Sequence, residues 1–300
     1  MMDTVIINEV GPRDGLQNEA AMVAPADRAE LIRRLVATGI PAVEVASFVS
    51  PKAVPKMAAA DEVVAALDLD AADFSALVPN MKGYELARAA GVRAVAVVLS
   101  ATDTMNRKNI NMDLATTVAV CSEILEQARR DGISGRAYVS VAVSCPYEGR
   151  VPEFRVLDLT RRMFAAGAFE VTIADTIGAA NPSQVKAVFK ALVDEFGARG
   201  LAAHFHDTRA LALANAWQAL ECGIRKFDTS IGGLGGCPFA PGAAGNLATE
   251  DLVSLLDQAG FHTGIDLEAL LEVVTHVRTL VGHDVGGRTL PWLRSRHATA

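Results

Sequence analysis

Two histidines one residue apart, His204 and His206, are the side chains in this sequence best spaced to hold a metal ion. On a β-strand, residues i and i+2 project to the same face. Two imidazoles side by side could grip one divalent cation, or could form a hydrogen-bonded pair within the core. Asp14 and Asn246 would add oxygen ligands if the fold brings them to the same place. An Asp/His/His/Asn set mixes nitrogen and oxygen and leaves positions open. It suits Mg²⁺, Mn²⁺ or another octahedral first-row ion better than a closed structural zinc site. Asp207, next in the chain, could orient a histidine or cap a following helix.

Other residues could move protons or stabilise charge. Arg13 adjoins Asp14, and adjacency of the strands would place it near Glu44. It reads either as the centre of an ion-pair network or as a donor to a developing oxyanion. Asp175 closes a strand-like run and could be a general base or a helix cap. The stretch 232–245 holds six Gly and two Pro around Cys237. It reads as a mobile connection, or as a closing loop whose thiol carries a proton. Cys121 and Cys222 fall on helical patterns and read as packing residues, whereas Cys145 is ambiguous. The segment 104–111, TMNRKNIN, is a local basic patch that could receive an anionic ligand or be a solvated loop. Lys52 and Lys56 carry the same two readings.

Positioning these groups requires a regular scaffold. Short apolar or β-branched runs recur at 4–9, 42–46, 73–78, 94–99, 138–143, 170–174, 201–205 and 226–230. The run AVAVVL at 94–99 is apolar on both faces, as in a covered parallel strand. Helical periodicity lies between the runs. Val185, Val188, Phe189, Leu192, Val193 and Phe196 make one stripe; Leu31, Ile32, Leu35 and Val36 make another, stopped by Gly39. Asn181-Pro182-Ser183 and Asp266 read as helix starts. Eight strand–helix alternations predict a single-domain α/β chain, a (β/α)8 TIM barrel over 1–282 with an extra C-terminal helix. A tail over 283–300 lacks periodicity and is expected to be disordered or to cover a neighbouring subunit. A doubly wound sheet is the alternative, but GPRDGLQN after the first run lacks the spacing of a dinucleotide turn. In a barrel the active site lies at the C-terminal strand ends, where Arg13, Asp14, Glu44, Asp175, His204, His206 and Asn246 all fall.

Composition narrows the partners. The 300 residues carry 28 Lys and Arg against 35 Asp and Glu, a net charge of −7, with 5% aromatics. Without a long basic cluster or a stacking platform, nucleic acid is an unsuitable partner. No long apolar run suggests a membrane span, and no signal segment is evident at the start. Four widely spaced cysteines without a C-x-x-C fit a reducing compartment, so a cytoplasmic location is expected.

Several stretches resemble the 3-hydroxy-3-methylglutaryl-CoA lyase family, within the metal-dependent acyl-CoA lyase and condensing-enzyme barrels. They are EVGPRDGLQNE (9–19), VEVASFVSPKAVPKM (43–57), VPNMKGYE (78–85), NRKNIN (106–111), SCPYEGRVP (144–152), DTIG (175–178), HFHDT (204–208) and GGLGGCPFAPGAAGNLATEDL (232–252). The resemblance implies Asp14, His204, His206 and Asn246 as metal ligands for Mg²⁺ or Mn²⁺. It implies Arg13, Asp175 and Cys237 as catalytic groups, with Glu44 and Glu250 supporting Arg13. The implied reaction is a retro-Claisen cleavage of an acyl-CoA to acetyl-CoA and a 3-keto acid, and the implied assembly is a homodimer. A Claisen-condensing enzyme and a non-catalytic acyl-CoA-binding barrel are the competing expectations. Coenzyme A is anionic, and Asn106, Arg107, Lys108 and Asn109 are the expected contacts. After HDT the family commonly continues Tyr-Gly-Gln; here the residues are Arg209-Ala210-Leu211. Arg209 is expected either to engage a carboxylate, of substrate or neighbour, and so set specificity, or to face solvent.

Overall fold

A computed structural model describes residues 3–236 and 245–297. Eight parallel strands form its centre: β1 (Ile6–Glu9), β2 (Ala42–Ser47), β3 (Asp73–Leu77), β4 (Ala94–Ser100), β5 (Ser134–Ser140), β6 (Glu170–Asp175), β7 (Leu201–Phe205) and β8 (Lys226–Thr229). They pair in the order β1-β8-β7-β6-β5-β4-β3-β2. The sheet closes at β1, where Ile6 lies opposite Lys226 and Asn8 opposite Ala42. This is a (β/α)8 barrel, as the alternation predicts.

The helices are α1 (Pro25–Ala37), α2 (Ala60–Ala65), α3 (Met81–Ala89), α4 (Asp103–Ile110), α5 (Leu114–Arg130), α6 (Glu153–Ala166), α7 (Pro182–Phe196), α8 (Ala212–Glu221), α9 (Thr249–Gln258), α10 (Leu267–Val281) and α11 (Leu290–His297). Local chemistry explains their limits. Asn181 accepts from the Gln184 amide and Gln184 returns a bond to Asn181, with Pro182 at the first turn of α7. Val185, Val188, Phe189 and Leu192 are then buried, and Phe189 meets Phe205 of β7 with ring centroids 6.2 Å apart. Burial of one such aromatic contributes about 1.5–3 kcal/mol. Asp266 caps α10 through the Ala269 amide. Among the described residues no helix is long and apolar enough to cross a membrane.

Three expectations need correction. β5 begins at Ser134, not 138, because the Arg136 that interrupts its apolar pattern is neutralised inside the barrel by Glu170 and Asp228. The segment 103–110 is helix α4, stabilised by the Arg107–Asp103 pair one turn apart. The described residues of the tail, 283–297, fold onto their own barrel. Gly286 donates to Gly232 O, the Gly287 amide to Glu250, and the Arg288 and Thr289 amides to Asp251.

Candidate active site

Arg13 and Asp14 follow β1 in a widened helical turn, Gly11–Gly15, whose Arg13, Asp14 and Gly15 amides converge on Val10 O. Such turns are uncommon and re-aim side chains at functional sites. Arg13 points across the barrel mouth. Its Nε donates to Glu44 on β2 and its Nη1 donates to Asp14 Oδ1 at 2.7 Å. The Tyr138 hydroxyl on β5 donates to the other Glu44 oxygen at 3.1 Å. Burial disfavours the charge on Arg13, but Glu44 and Asp14 outweigh it and raise its pKa, so it stays a cation. Among the described residues these bonds use Nε and Nη1, leaving Nη2 for a further acceptor.

Asp14, His204 and His206 bring one ligand atom each within 4.8 Å of one another. Asn246 joins them, donating through Nδ2 to Asp14 Oδ2 at 2.9 Å and to Leu234 O at 3.0 Å. Among the described residues its buried Oδ1 has no hydrogen-bond partner. A buried amide oxygen beside a carboxylate and two imidazoles is a donor set whose chemistry suits a divalent cation. The donor set therefore fits such an ion, with Asp14, His204, His206 and Asn246 able to hold it. Burial would raise the Asp14 pKa, yet Arg13 and the two histidines hold its carboxyl below the usual value.

Sequence reasoning missed Asp228 on β8. It is buried, and its Oδ2 lies 3.2 Å from His204 Nδ1. Burial opposes its charge, but Arg136 and His204 hold the carboxyl well below the usual range. An ionised carboxylate only accepts, so Nδ1 carries the proton and Nε2 is left as the ligand atom. Asp228 is itself fixed by Asn8 Nδ2 at 2.7 Å and Arg136 Nη2 at 3.1 Å. The available signal was parity: Asp228 pairs with His204 across parallel strands, so both point inward.

A cavity of about 240 Å³ opens on this cluster. Arg13, Asp14, Tyr138, Ser140, Thr176, His204 and His206 give it polar walls; Val49, Leu77, Val98 and Met105 give apolar ones.

Other predicted residues fall elsewhere. Glu250 does not support Arg13. It accepts from the Gly232 amide at 3.0 Å and the Gly287 amide at 2.6 Å, tying the tail to the loop after β8. Asn106 is buried and spends its amide on Ser100 and Thr102 backbone, so it is unavailable to coenzyme A. Arg107 is paired with Asp103 and Asp113. Lys108 is exposed, and Asn109 lines the cavity. Asp175 is not among the cavity-lining residues. Its two oxygens accept from the Ala179 and Ala180 amides, each at 2.9 Å, so the side chain anchors the loop before α7, and burial raises its pKa above the usual value. The α7 cap is Asn181 instead. Among the described residues Arg209 forms no ion pair; it donates to the carbonyls of Gly178, Ala179 and Ala180. Asp207 accepts from the Ala212 amide at the start of α8 and pairs with Arg288 at 2.6 Å. Cys237 lies outside the described residues, although Gly236 before it lines the cavity.

Glu250 and its neighbour Glu9 make the stability pH-dependent. Burial pushes both carboxyls from 4.5 to about 7. The folded chain then binds more protons than the unfolded chain between those values, so their contribution is fully present below 4.5 and lost as pH rises through about 7. Thermal melts should show Tm falling across that window, with a shallower fall in Glu250→Gln. An identical slope in the variant would refute this.

The geometry can be set beside known proteins. A family model described as HMGL-like matches residues 4–277. A hydroxymethylglutaryl-CoA lyase of Bacillus subtilis is 43% identical over 292 residues, covering 97% of this chain and 98% of that protein. An (R)-citramalyl-CoA lyase of Chloroflexus aurantiacus is 44% identical over 281 residues, covering 90% and 89%. The structure of an Acinetobacter baumannii HMG-CoA lyase in complex with coenzyme A and 3-methylmalate superposes with a TM-score of 0.92 at 39% identity, covering 96% of this chain and 94% of that one. With the barrel, the ligand cluster and these near full-length matches in agreement, the chain belongs to the HMGL-like family.

Proposed function

We propose that this protein is a carbon–carbon lyase that cleaves 3-hydroxy-3-methylglutaryl-CoA to acetyl-CoA and acetoacetate. One observation carries the reading: Arg13, braced by Glu44 and Asp14, adjoins the Asp14/His204/His206 cluster within a single cavity. A divalent cation bound there would supply Lewis acidity to the C3 hydroxyl oxygen. Asp175, between the cavity-lining Ala174 and Thr176, is assigned to accept the hydroxyl proton; the C2–C3 bond then breaks and negative charge passes to the thioester enolate. Arg13, through Nη2, is oriented to stabilise that oxyanion without reorganising, because Glu44 and Asp14 already fix its plane. Ser140, Thr176 and Asn109 offer neutral polar groups for the acid end of the substrate, and Val49, Leu77 and Val98 exclude water. Cys237, carried by the Gly-rich stretch after Gly236, is assigned protonation of the acetyl carbon. The same reading takes Mg²⁺ or Mn²⁺ as the ion, the cytoplasm as the compartment and a homodimer as the assembly.

The similarity to the Chloroflexus relative favours testing a second substrate. (R)-Citramalyl-CoA carries its carboxyl directly on C3, and the same cleavage would give pyruvate. Chelator-stripped protein should be inactive, and either Mg²⁺ or Mn²⁺ should restore acetyl-CoA release. Acetoacetate should exceed pyruvate when the two thioesters are compared at equal concentration. No acetoacetate with either ion would overturn the assignment.

A further inference from the structure

Arg209 is clamped on a loop, and its charge also reaches the Asp175 carboxylate that holds the same loop from the other side. Its Nε donates to Gly178 O at 3.0 Å, and its Nη2 donates to Ala179 O and, at 3.3 Å, to Ala180 O. The amides of Ala179 and Ala180 donate the other way, to Asp175. One short segment is thus held by a carboxylate on its N–H side and a guanidinium on its C=O side. Asn215 adds a bond to Ala180 O at 3.1 Å. Gly178 sits at φ +59, where an added Cβ would lie 2.6 Å from Thr208 Oγ1 and 2.8 Å from His206 O, so the segment is pressed onto the end of β7. Thr176 lies at its start. It lines the substrate cavity and accepts from the Val141 amide at 2.9 Å.

The turn that aims Arg209 is itself strained. Ala210 takes φ +58, closed by its amide on Asp207 O at 3.0 Å. That conformation costs an L-residue about 1–2 kcal/mol. It persists because Asp207 on one side and the three carbonyl bonds on the other fix the chain around it.

We propose that Arg209 is a positioning residue: by clamping the carbonyls of Gly178, Ala179 and Ala180 it fixes the loop that presents Thr176 to the substrate cavity. Its kinetic consequence rests on the lyase reading; its effect on the loop does not.

Two readouts test this on the intact chain. Hydrogen–deuterium exchange of Arg209→Ala should show amides 176–181 exchanging at least ~10-fold faster, with the interior of α7 and the Tm little changed. In the acyl-CoA assay, kcat should fall ~10–100-fold while KM stays within about twofold, since misplacement of the wall costs orientation and not binding. Guanidinium ion should restore part of kcat in Arg209→Ala and leave wild type unaffected. Arg209→Lys, which keeps the charge but reaches fewer carbonyls, should exchange at an intermediate rate and serves if the alanine variant folds poorly. Unchanged exchange in 176–181 would overturn the proposal. So would a rise in KM at constant kcat, which would make Arg209 a substrate-carboxylate contact. A wild-type protein that cleaves no acyl-CoA would sink the lyase reading, and exchange alone would then decide the role of Arg209.

Discussion

Arg13→Met should lower kcat for acyl-CoA cleavage by about 10²–10³-fold, the usual loss for one donor to a developing oxyanion. Arg13→Lys should recover little, because an ammonium cannot keep the Glu44 and Asp14 bonds and still present a further N–H in a fixed plane. The methionine variant carries a second effect. Glu44 is fully buried, and without Arg13 its described partner is the Tyr138 hydroxyl. An uncompensated buried charge of this kind costs about 3–5 kcal/mol. The two effects separate in the double variant Arg13→Met/Glu44→Gln, which should regain most of the lost Tm and none of the activity. Activity within about tenfold of wild type in either methionine variant would remove Arg13 from the chemistry.

Asp228→Asn should weaken cation binding about 10–100-fold, measured by calorimetric titration of Mg²⁺ or Mn²⁺ into stripped protein. The substitution hardly changes shape. It replaces an acceptor-only carboxylate with a group that can turn an N–H toward His204 Nδ1, which favours the tautomer with its proton on Nε2, the atom needed as a ligand. It also removes the charge that Arg136 shares with Glu170 inside the barrel. Breaking a buried pair costs about 3–5 kcal/mol, and the low end is expected because Glu170 still faces the guanidinium. Metal-free stability should therefore fall together with cation affinity, whereas His206→Ala should lose affinity and little stability. Cation affinity unchanged in Asp228→Asn would rule out its hold on His204.

Much of the site could be read directly because neighbours in sequence carry it. His204 and His206 share a face by strand parity alone, and Asp14 adjoins Arg13. Strand adjacency was enough to bring Glu44 to Arg13. The readings that failed concern polar groups whose partners lie on distant backbone. Glu250 seemed to belong to Arg13, yet its oxygens are taken by the amides of Gly232 and Gly287. Asn106 lies in a basic stretch, and its side chain nonetheless closes the end of β4. A side-chain letter states what bonds can be made; which bonds are made depends on where loops return.

By itself the sequence determined the alternation of eight strands with helices, the end of the barrel at which chemistry collects, and the residue types able to hold a divalent ion there. These follow from local periodicity and from the fixed direction of parallel strands. The tertiary structure alone decided that residues 286–289 of the tail bond to their own barrel, that Asp228 sets the tautomer of His204, and that Arg209 grips the carbonyls of a loop. Each of these depends on register between strands or on the return of a loop across dozens of residues. Such contacts are fixed when the barrel closes, and no pattern within a window of the chain encodes them.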